Sequence, residues 1–394
     1  MRAMTSIDLF AGAGGLTEGL RRAGFQSLYA NEVVEQYAET FALNHPSVLV
    51  DARDIREVNA REVRERLGLE PGELDLVAGG PPCQGFSINA PVRSTSDYRN
   101  HLFREFLRFV EEFSPKQVLI ENVPGLVSFS KGDTLTAIVE ALSALGYQAD
   151  VRLLYAPNFG VPQTRWRTII IGARGATLPD SSFPAPTHSA PRRINFTSSW
   201  AGKNLVQSDP VGGLPFTSVA DAISDLPPLK SGESYSAGGA YQAEAISSYQ
   251  RLMREGSAGI FNHEAPRLSL TNLERLSYIP VGGNWTDIPH ELLPKGMQRA
   301  RTSDHTKRYG RVSPRGLAST ILTKCDPHWG AYIHYEQQRV FTVREAARLQ
   351  SFPDTYRFLG SRVDQFAQVG NAVPVLLAEA VGKALIENAL ALVG

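Results

Sequence analysis

The sequence has little cysteine, no long apolar run and no excess charge of either sign. Its two cysteines, Cys83 and Cys325, cannot make a disulfide framework, so we expect a reduced, cytoplasmic compartment. No apolar run reaches about 18 residues, and residues 1–10 lack the shape of a signal peptide, so we expect neither a membrane-spanning helix nor a membrane partner. Basic and acidic residues number 40 each, so a nucleic-acid partner would need a local basic patch.

The composition that is present is typical of a globular protein. The hydrophobic share is 42% and the charged share 20%, and 394 residues are enough for two domains. Near Gly175 proline, serine, glycine and threonine become frequent, and regular periodicity is lost until about residue 317. This change predicts a first domain over 1–185 and a loop-rich second domain over 186–345, with a C-terminal segment, 346–394, that returns to the first.

The N-terminal segment predicts an α/β fold. A short strand, 6–10, is followed by the glycine turn 11–16 and a helix, which is how a nucleotide-binding βαβ unit begins. The third glycine of the dinucleotide motif is missing, so the loop favours a cofactor without a pyrophosphate, such as S-adenosylmethionine. A tight turn without a ligand is the alternative.

Acidic residues follow the next two strands. Glu32 ends a strand 20 residues after Gly12, where a carboxylate can accept hydrogen bonds from ribose hydroxyls. Asp54, followed by Ile55, comes after a third short strand and could bind an adenine amino group. A solvated carboxylate is the alternative at both positions.

A cysteine and a glutamate occupy matching places after two buried strands. The apolar run 74–78 stops at two glycines and two prolines, which places Cys83 on a loop at the carboxyl end of that strand. The run 117–120 ends at Glu121. Ligands bind at this edge of open α/β sheets, so Cys83 is a candidate nucleophile and Glu121 a candidate proton donor. A buried packing cysteine and a solvated or helix-capping glutamate are the alternatives.

Basic residues occur in two further places. Residues 148–156 and 167–172 predict two antiparallel strands, and alternation would put Gln163, Arg165 and Arg167 on one face, where they could hold a carboxylate, a base oxygen or a phosphate. Surface arginines are the alternative there. The run 299–315 has six lysines or arginines and one aspartate, which fits a phosphate-binding patch or a solvated face equally well. Three tryptophans in loop-like surroundings, Trp200, Trp285 and Trp329, are either core or contact residues.

In this order and spacing, the motifs resemble those of the cytosine-5 DNA methyltransferases of bacterial restriction–modification systems. The resemblance covers about residues 1–175 and 335–394. The segment 186–310 matches only in location, as the variable target recognition region. The matching blocks are Asp8-Leu9-Phe10-Ala11-Gly12-Ala13-Gly14-Gly15, Asn31-Glu32, Gly80-Pro81-Pro82-Cys83-Gln84, Glu121-Asn122-Val123, Gln163-x-Arg165-x-Arg167, the block from Arg344 to Pro353, and Gln368-Val369-Gly370-Asn371-Ala372-Val373-Pro374.

The resemblance implies a Rossmann-like, S-adenosylmethionine-dependent methyltransferase sheet with helices on both faces. The second domain, 186–345, would then recognise the target. The implied reaction is transfer of a methyl group to C5 of a flipped-out cytosine in double-stranded DNA, through a covalent adduct with Cys83. Glu121 would hydrogen-bond N3 and the exocyclic amine, Arg165 would hold O2, and Arg167 would order the site.

The resemblance also implies ligand contacts, and no metal is expected. Many members have an aromatic residue where this chain has Val33, so stacking on adenine would be weaker or supplied elsewhere. Expected cofactor contacts are Phe10, Ala11, Gly12, Ala13, Gly14, Gly15, Glu32, Val33, Asp54, Ile55, Gly80, Pro82, Leu102, Asn371 and Val373. Expected DNA contacts are Gln84, Ser87, Lys307, Arg308 and Arg311.

Three other functions fit the sequence less well than DNA methylation does. The RNA-acting branch of the family carries a Cys-Phe-Thr motif in its recognition region, and no cysteine lies between 84 and 324. A Rossmann oxidoreductase would not explain Cys83 together with Glu121, and these intact residues with Arg165 argue against an inactive DNA-binding homologue. A monomer is expected, and a restriction endonuclease that acts on the same site is a candidate partner.

Overall fold

The structure is a computed structural model that describes residues 3–82, 102–175, 178 and 182–391. Its contacts divide the chain into two compact units. Unit 1 comprises Met1–Phe159, Trp166–Pro215 and Val373–Gly394, and unit 2 comprises Gly160–Arg165 and Phe216–Ala372. The expected functional boundaries at 185/186 and 345/346 differ from these divisions, and the roles of the domains stay a prediction.

Unit 1 is built on a seven-stranded sheet, as the α/β expectation requires. The strand order is β3-β2-β1-β4-β5-β7-β6, with parallel pairing from β3 to β5 and β7 antiparallel to both of its neighbours. This Rossmann-like sheet confirms the predicted fold class. The strands are β1 Met4–Leu9, β2 Phe25–Asn31, β3 Leu49–Asp51, β4 Leu76–Gly79, β5 Gln117–Asn122, β6 Tyr147–Tyr155 and β7 Trp166–Arg174.

The helices of unit 1 follow the apolar periodicity of the sequence. In α4 the residues at helical spacing, Phe106, Phe109, Val110 and Phe113, are fully buried in the core with residues of β1, β4, β5 and β7. The helices are α1 Gly15–Ala23, α2 Glu35–Asn44, α3 Ala60–Arg66, α4 Leu102–Phe113, α5 Gly125–Ser128, α6 Asp133–Ala144 and, after unit 2, α12 Val375–Ala391.

The loop-rich stretch predicted after residue 175 is present. Between residues 182 and 342 the described strands are two residues long, and the helices are short. The strands are β8 His188–Ser189, β9 Ser199–Trp200, β10 Lys203–Asn204 and β11 Leu214–Pro215, all in unit 1. The helices of unit 2 are α7 Val219–Ile223, α8 Ser248–Arg254, α9 Leu270–Ser277, α10 Val343–Leu349 and α11 Arg362–Asn371.

Unit 2 is held together by buried ion pairs on α10. Thr342 caps this helix, and Glu345 completes the predicted capping box. Glu345 also accepts two hydrogen bonds from the Arg339 guanidinium, both at 2.7 Å. The Arg348 guanidinium lies between the carboxylates of Asp225 and Asp354, at 2.5 and 2.7 Å. Each of these buried charges therefore has a partner of opposite sign, and the pairs connect α10 to other segments of this otherwise irregular unit.

One helical stretch departs from the expectation that no segment could span a membrane. Residues Arg362–Ala389 are long and apolar enough by length and composition alone. However, 67% of the most apolar 18-residue window of this stretch is buried inside the protein. A helix in the core of a protein can have the same length and apolar composition, and the burial observed here is that of a core helix.

Helices α1 and α12 approach each other closely at Gly19. A Cβ atom on Gly19 would lie 2.3 Å from the Cβ atom of Ala378 and 2.6 Å from the carbonyl oxygen of Val375. Only a hydrogen at this position allows the two helices to pack, so the residue type is set by the contact.

Replacing Gly19 by alanine should therefore destabilise the protein. Alanine favours a helix over glycine by roughly 1 kcal/mol, but overpacking typically costs about 1–3 kcal/mol, so we expect the overpacking cost to exceed the helix gain. Urea unfolding followed by circular dichroism measures the change. The control is Gly296→Ala, where a Cβ would meet no atom within 4 Å; equal stability of the two variants would contradict the close approach.

Candidate active site

The glycine loop after β1 adopts the left-handed conformations that its glycines allow. Gly12 and Gly14 have φ values of 57° and 90°, and Phe10 has φ 60°. A Cβ on Gly12 would meet no atom of the described residues within 4 Å, so this part of the loop is open with respect to those residues. The loop thus has room for a ligand against its backbone, as expected for residues 10–15.

Glu32 lies against this loop, as its spacing predicted. Its Oε2 accepts a hydrogen bond from the Gly12 N–H and its Oε1 one from the Val34 N–H, both at 2.8 Å. Burial raises the pKa of the Glu32 carboxyl, although the two backbone donors oppose the shift. Val33 beside it is 58% exposed. A carboxylate and an apolar side chain are thus presented next to the open loop.

Asp54 and Ile55 occupy the loop after β3. The Asp54 carboxylate is bound by the Arg56 guanidinium at 2.5 and 2.9 Å, which holds the pKa of Asp54 below its usual value. Ile55 is buried, at 3% exposed. An adenine amino group would therefore share the Asp54 carboxylate with Arg56.

Asp8, which belongs to the glycine-loop motif and has no predicted role, lies in a distinctive environment. It lies in β1 at 1% exposed, and its Oδ2 accepts a hydrogen bond from the Thr17 hydroxyl at 2.6 Å. Among the residues that the structure describes, Oδ1 has no hydrogen-bond partner. Burial raises the pKa of Asp8 to about 7, with smaller contributions from the charges of Glu32 and Glu121. The only sequence signal was an acid inside an apolar strand.

The loop that precedes Cys83 lies against the end of β5. The Asn122 side chain donates a hydrogen bond to the Pro81 carbonyl at 3.0 Å, and a Cβ on Gly80 would lie 3.1 Å from Oε2 of Glu121. Pro82 is the last described residue of this segment, and Cys83, Gln84 and Ser87 lie outside the described residues. The described chain before the candidate nucleophile is therefore next to Glu121.

Glu121 and Arg167 form an ion pair on neighbouring strands. Glu121 is paired with Ile169 across β5 and β7, and the Nε of Arg167 contacts Oε1 of Glu121. Their side chains are 12% and 9% exposed. The two oxygens of Glu121 thus have different surroundings, since Oε1 faces the guanidinium and Oε2 faces Gly80.

Gln163 and Arg165 do not share a strand face with Arg167. This corrects the expectation that alternation along one strand puts the three side chains on the same face. β7 begins at Trp166, so both residues precede it and belong to unit 2. The Arg165 guanidinium donates to the carbonyls of Ile321 and Gly370, at 2.9 and 2.7 Å. Gln163 likewise donates to the Leu349 carbonyl in unit 2, whereas Arg167 contacts Glu121 in unit 1, so the partners of these side chains differ.

The expected DNA contacts in the basic run differ in exposure. Lys307 is exposed and Arg308 is half-buried. Arg311 is 5% exposed, and its five N–H groups donate to four backbone carbonyls and the Gln338 side chain. A phosphate would have to replace these acceptors, so the structure argues against Arg311 as a DNA contact.

Three remaining cofactor candidates fall on element ends. Leu102 begins the described part of α4 and packs against the core of unit 1. Asn371 ends α11 in unit 2 and is exposed, and Val373 begins the last part of unit 1 at 7% exposed. No group of three or more His, Cys, Asp or Glu residues suited to a metal occurs in the part of the chain that the structure describes.

Comparison with known proteins assigns a family to this arrangement. The family model described as C-5 cytosine-specific DNA methylase matches residues 4–387. The chain is 36% identical to the Type II methyltransferase M.AgeI of Thalassovita gelatinovora, over 97% of this chain and 99% of that protein. It is 34% identical to the Type II methyltransferase M1.HphI of Haemophilus parahaemolyticus, over 98% of this chain and 87% of that one.

A solved structure agrees over the whole chain. It is described as a DNA modification methyltransferase encoded within a prophage of E. coli, is 25% identical, and covers 98% of this chain and 99% of its own. The TM-score is 0.73. The Rossmann-like fold of this chain is therefore that of a methyltransferase.

The environment of Asp8 predicts a pH-dependent stability that Asp8→Asn should remove. Below pH 7 the folded carboxyl keeps its proton while the unfolded one ionises near pH 4, so the wild type loses stability as the pH rises to about 7 and then levels off. Asparagine has no such charge and can still accept the Thr17 hydrogen bond. Urea unfolding at pH values from 5 to 8 measures this effect. The free energy of unfolding of Asp8→Asn, relative to that of the wild type, should rise over this range by on the order of 1–3 kcal/mol. A constant difference would contradict a buried, protonated Asp8.

Proposed function

Because this chain belongs to the C-5 cytosine-specific DNA methylase family and is a DNA (cytosine-5-)-methyltransferase, we propose that it methylates C5 of a cytosine flipped out of duplex DNA, with S-adenosylmethionine as donor and Cys83 as nucleophile. The observation that carries this proposal is the position of the Glu121 carboxylate, which lies between Arg167 and Gly80. Gly80 is three residues before Cys83 in the chain. A proton donor and a cation are thus next to the chain that leads into the nucleophile.

The glycine loop and Glu32 fit the proposed donor. A sulfonium nucleoside has no phosphate, so it needs an open backbone rather than a cradle of N–H groups, and the open face of Gly12 meets that need. Each Glu32 oxygen accepts one backbone hydrogen bond and, like any carboxylate oxygen, can accept another from a ribose hydroxyl. The exposed Val33 offers apolar contact to adenine in place of an aromatic ring. When bound, S-adenosylmethionine supplies an electrophilic methyl group.

Cys83 supplies the covalent step. C5 of cytosine is too weak a nucleophile to take a methyl group unaided, and addition of the Cys83 thiolate to C6 moves electron density to C5. After C5 has taken the methyl group, loss of its proton expels the thiolate and restores the ring. The thiolate must approach C6 from the face of the ring, which is covered inside a duplex, so the base must leave the stack.

Glu121 and Arg167 act on the pyrimidine ring in this proposal. Oε2 of Glu121, on the side of Gly80, carries the proton that is donated to N3 as the thiolate adds to C6, and the carboxyl group accepts a hydrogen bond from the exocyclic amine. The proton at N3 stabilises the negative charge that the addition places on the ring. Arg167 contacts Oε1 and so orients the carboxylate. Arg165 donates to carbonyls of unit 2. We assign it a positioning role and assign to Arg167 the O2 contact that the resemblance implies for Arg165.

Target choice and biological setting follow from the same proposal. Flipping costs a few kcal/mol, which phosphate and groove contacts from the second domain must offset. The relatives named Type II methyltransferases support a restriction–modification role. As part of the same proposal, the enzyme is a monomer in the bacterial cytoplasm, and an endonuclease that acts on the same site is its partner.

The Glu32 contact is tested by removing its carboxylate. Glu32→Ala should weaken binding of S-adenosylmethionine by about 1–3 kcal/mol, the range for a lost charge-assisted hydrogen bond. Isothermal titration calorimetry without DNA measures this directly. Glu39→Ala removes an exposed carboxylate from α2 and should leave the affinity unchanged. Unchanged affinity of Glu32→Ala would remove this residue from the site.

The covalent step is tested with a duplex that carries 5-fluorocytosine at the target. Fluorine cannot leave C5 as a cation, so the enzyme should remain attached after methyl transfer as an adduct that survives denaturing electrophoresis. Trapping should require S-adenosylmethionine. Cys83→Ser should give no adduct, because a serine hydroxyl is a far weaker nucleophile than a thiol with a few per cent thiolate.

The second cysteine provides the matched control. Cys325 is buried, and burial raises the pKa of its thiol, so it stays protonated and Cys325→Ser should trap like the wild type. Mass spectrometry of the trapped peptide identifies the attached residue. An adduct on Cys325, or none on a proven target site, would contradict the assignment of Cys83. Tritiated methyl groups should be transferred to duplex DNA and not to tRNA.

A further inference from the structure

The three tryptophans that the sequence left between core and contact roles have different environments. Trp285 is 3% exposed, and its indole N–H donates to the Asp304 carbonyl at 3.1 Å. Trp200 is half-buried, and its indole N–H donates to the Thr136 hydroxyl at 3.1 Å. Trp329 is 56% exposed. A large aromatic side chain presented to solvent is a feature of contact surfaces, so Trp329 is the tryptophan to explain.

The loop of Trp329 is fixed by its neighbours. The Pro327 carbonyl accepts a hydrogen bond from the Tyr309 N–H at 2.6 Å, and the Trp329 N–H donates to the Asp326 carbonyl at 3.0 Å. A Cβ on Gly330 would lie 2.7 Å from the ring of the buried Tyr332. The backbone that carries the indole is therefore fixed, which limits the conformational entropy that the loop loses when it binds a partner.

Basic side chains lie around this loop. The Lys324 Nζ is 6.0 Å from the centre of the Trp329 ring. The segment 307–310 lies beside residues 327–331, because Tyr309 bonds Pro327 and a Cβ on Gly310 would lie 2.4 Å from the Cβ of Ala331. This brings Lys307 and Arg308 to the same part of unit 2.

The acidic side chain of Asp326 lies in the same loop. An oxygen of the Asp326 carboxylate accepts the His328 N–H at 2.8 Å and lies 3.4 Å from the His328 ring. It is held within its own turn and offsets part of the charge. We call the group Lys307, Arg308, Lys324, His328 and Trp329 the Trp329 surface.

Building on the DNA methyltransferase function proposed above, we propose that the Trp329 surface contacts the duplex, with Trp329 packed against a base of the recognised site and Lys307, Arg308 and Lys324 on the phosphates. Exposed or half-buried cations complement the phosphate backbone, and an exposed indole on a fixed loop can stack on a base or insert between base pairs. A base contact of this kind depends on sequence, because base steps differ in how easily they open. Trp329 is therefore a specificity-determining residue.

The first test uses the fluorescence of the full-length protein. The target site is first located by bisulfite sequencing of DNA from a host that expresses the enzyme, and a duplex containing it is the probe. The duplex should quench the fluorescence of the wild type and of Trp200→Phe. Trp329→Phe should lose most of this quenching, because the quenched indole is absent. Quenching that persists in Trp329→Phe would overturn the base contact.

The second test separates base contact from phosphate contact. Trp329→Ala should weaken binding to the target duplex by roughly 5- to 100-fold, the range for a lost base–aromatic stack. Its effect on a random duplex should be smaller, and the slope of log affinity against log salt should not change. Lys324→Ala should weaken both duplexes alike and reduce that slope by about 1. An equal loss for both duplexes with Trp329→Ala would overturn the specificity role.

The control and the activity assay keep this inference separate from the proposed function. Tyr278→Ala removes another exposed aromatic of unit 2 and should leave the affinity for the target duplex unchanged. If the wild type methylates the target and Trp329→Ala binds it as tightly as the wild type does, the inference fails and the proposed function stands. A wild type that transfers no methyl group to cytosine in DNA would contradict the proposed function itself.

Discussion

Parallel pairing of β1, β2, β4 and β5 is the constraint on which the site of unit 1 depends. Parallel strands end at the same edge of a sheet, so the turns that follow them meet there. The register shows this directly, since Leu9 at the end of β1 pairs with both Asn31 and Gly79, and Gly79 pairs with Ile120. The residues after these positions include Gly12, Glu32, Gly80 and Glu121. Residues more than a hundred positions apart therefore form one candidate site without any long-range side-chain contact being required to bring them together.

Unit 2 depends on a different interaction. Its segments are short and irregular, and the buried pairs Arg348–Asp225, Arg348–Asp354 and Arg339–Glu345 tie α10 to residues before and after it. Removal of one partner would leave a buried charge unpaired, which typically costs about 3–5 kcal/mol. The charged residues of the block from Arg344 to Pro353 therefore serve the architecture of unit 2. Their position in a family motif does not make them reacting groups.

The sequence predicted the sheet edge well because turn residues and apolar runs are local signals. The strand ends at Leu9, Asn31 and Gly79 follow from glycines, prolines and an acid that end each run. Two features were not predictable in this way. The burial of Asp8 depends on Thr17 and on the packing of the finished core, and the direction of an arginine depends on which acceptors surround it. Arg165 and Arg311 donate to backbone carbonyls, whereas Arg167 meets a carboxylate, and the three look alike in the sequence.

This difference among the arginines bears on the chemistry. Backbone carbonyls are neutral acceptors that neither gain nor lose a proton, so Arg165 and Arg311 act as fixed ties within unit 2. Arg167 holds only one oxygen of Glu121, and the other oxygen lies toward Gly80 and the chain that leads to Cys83. A carboxylate anchored through Oε1 keeps its orientation while Oε2 exchanges a hydrogen bond or a proton with a base. In the proposed mechanism the two oxygens of Glu121 therefore have separate tasks: Oε1 positions the carboxylate, and Oε2 takes part in the reaction.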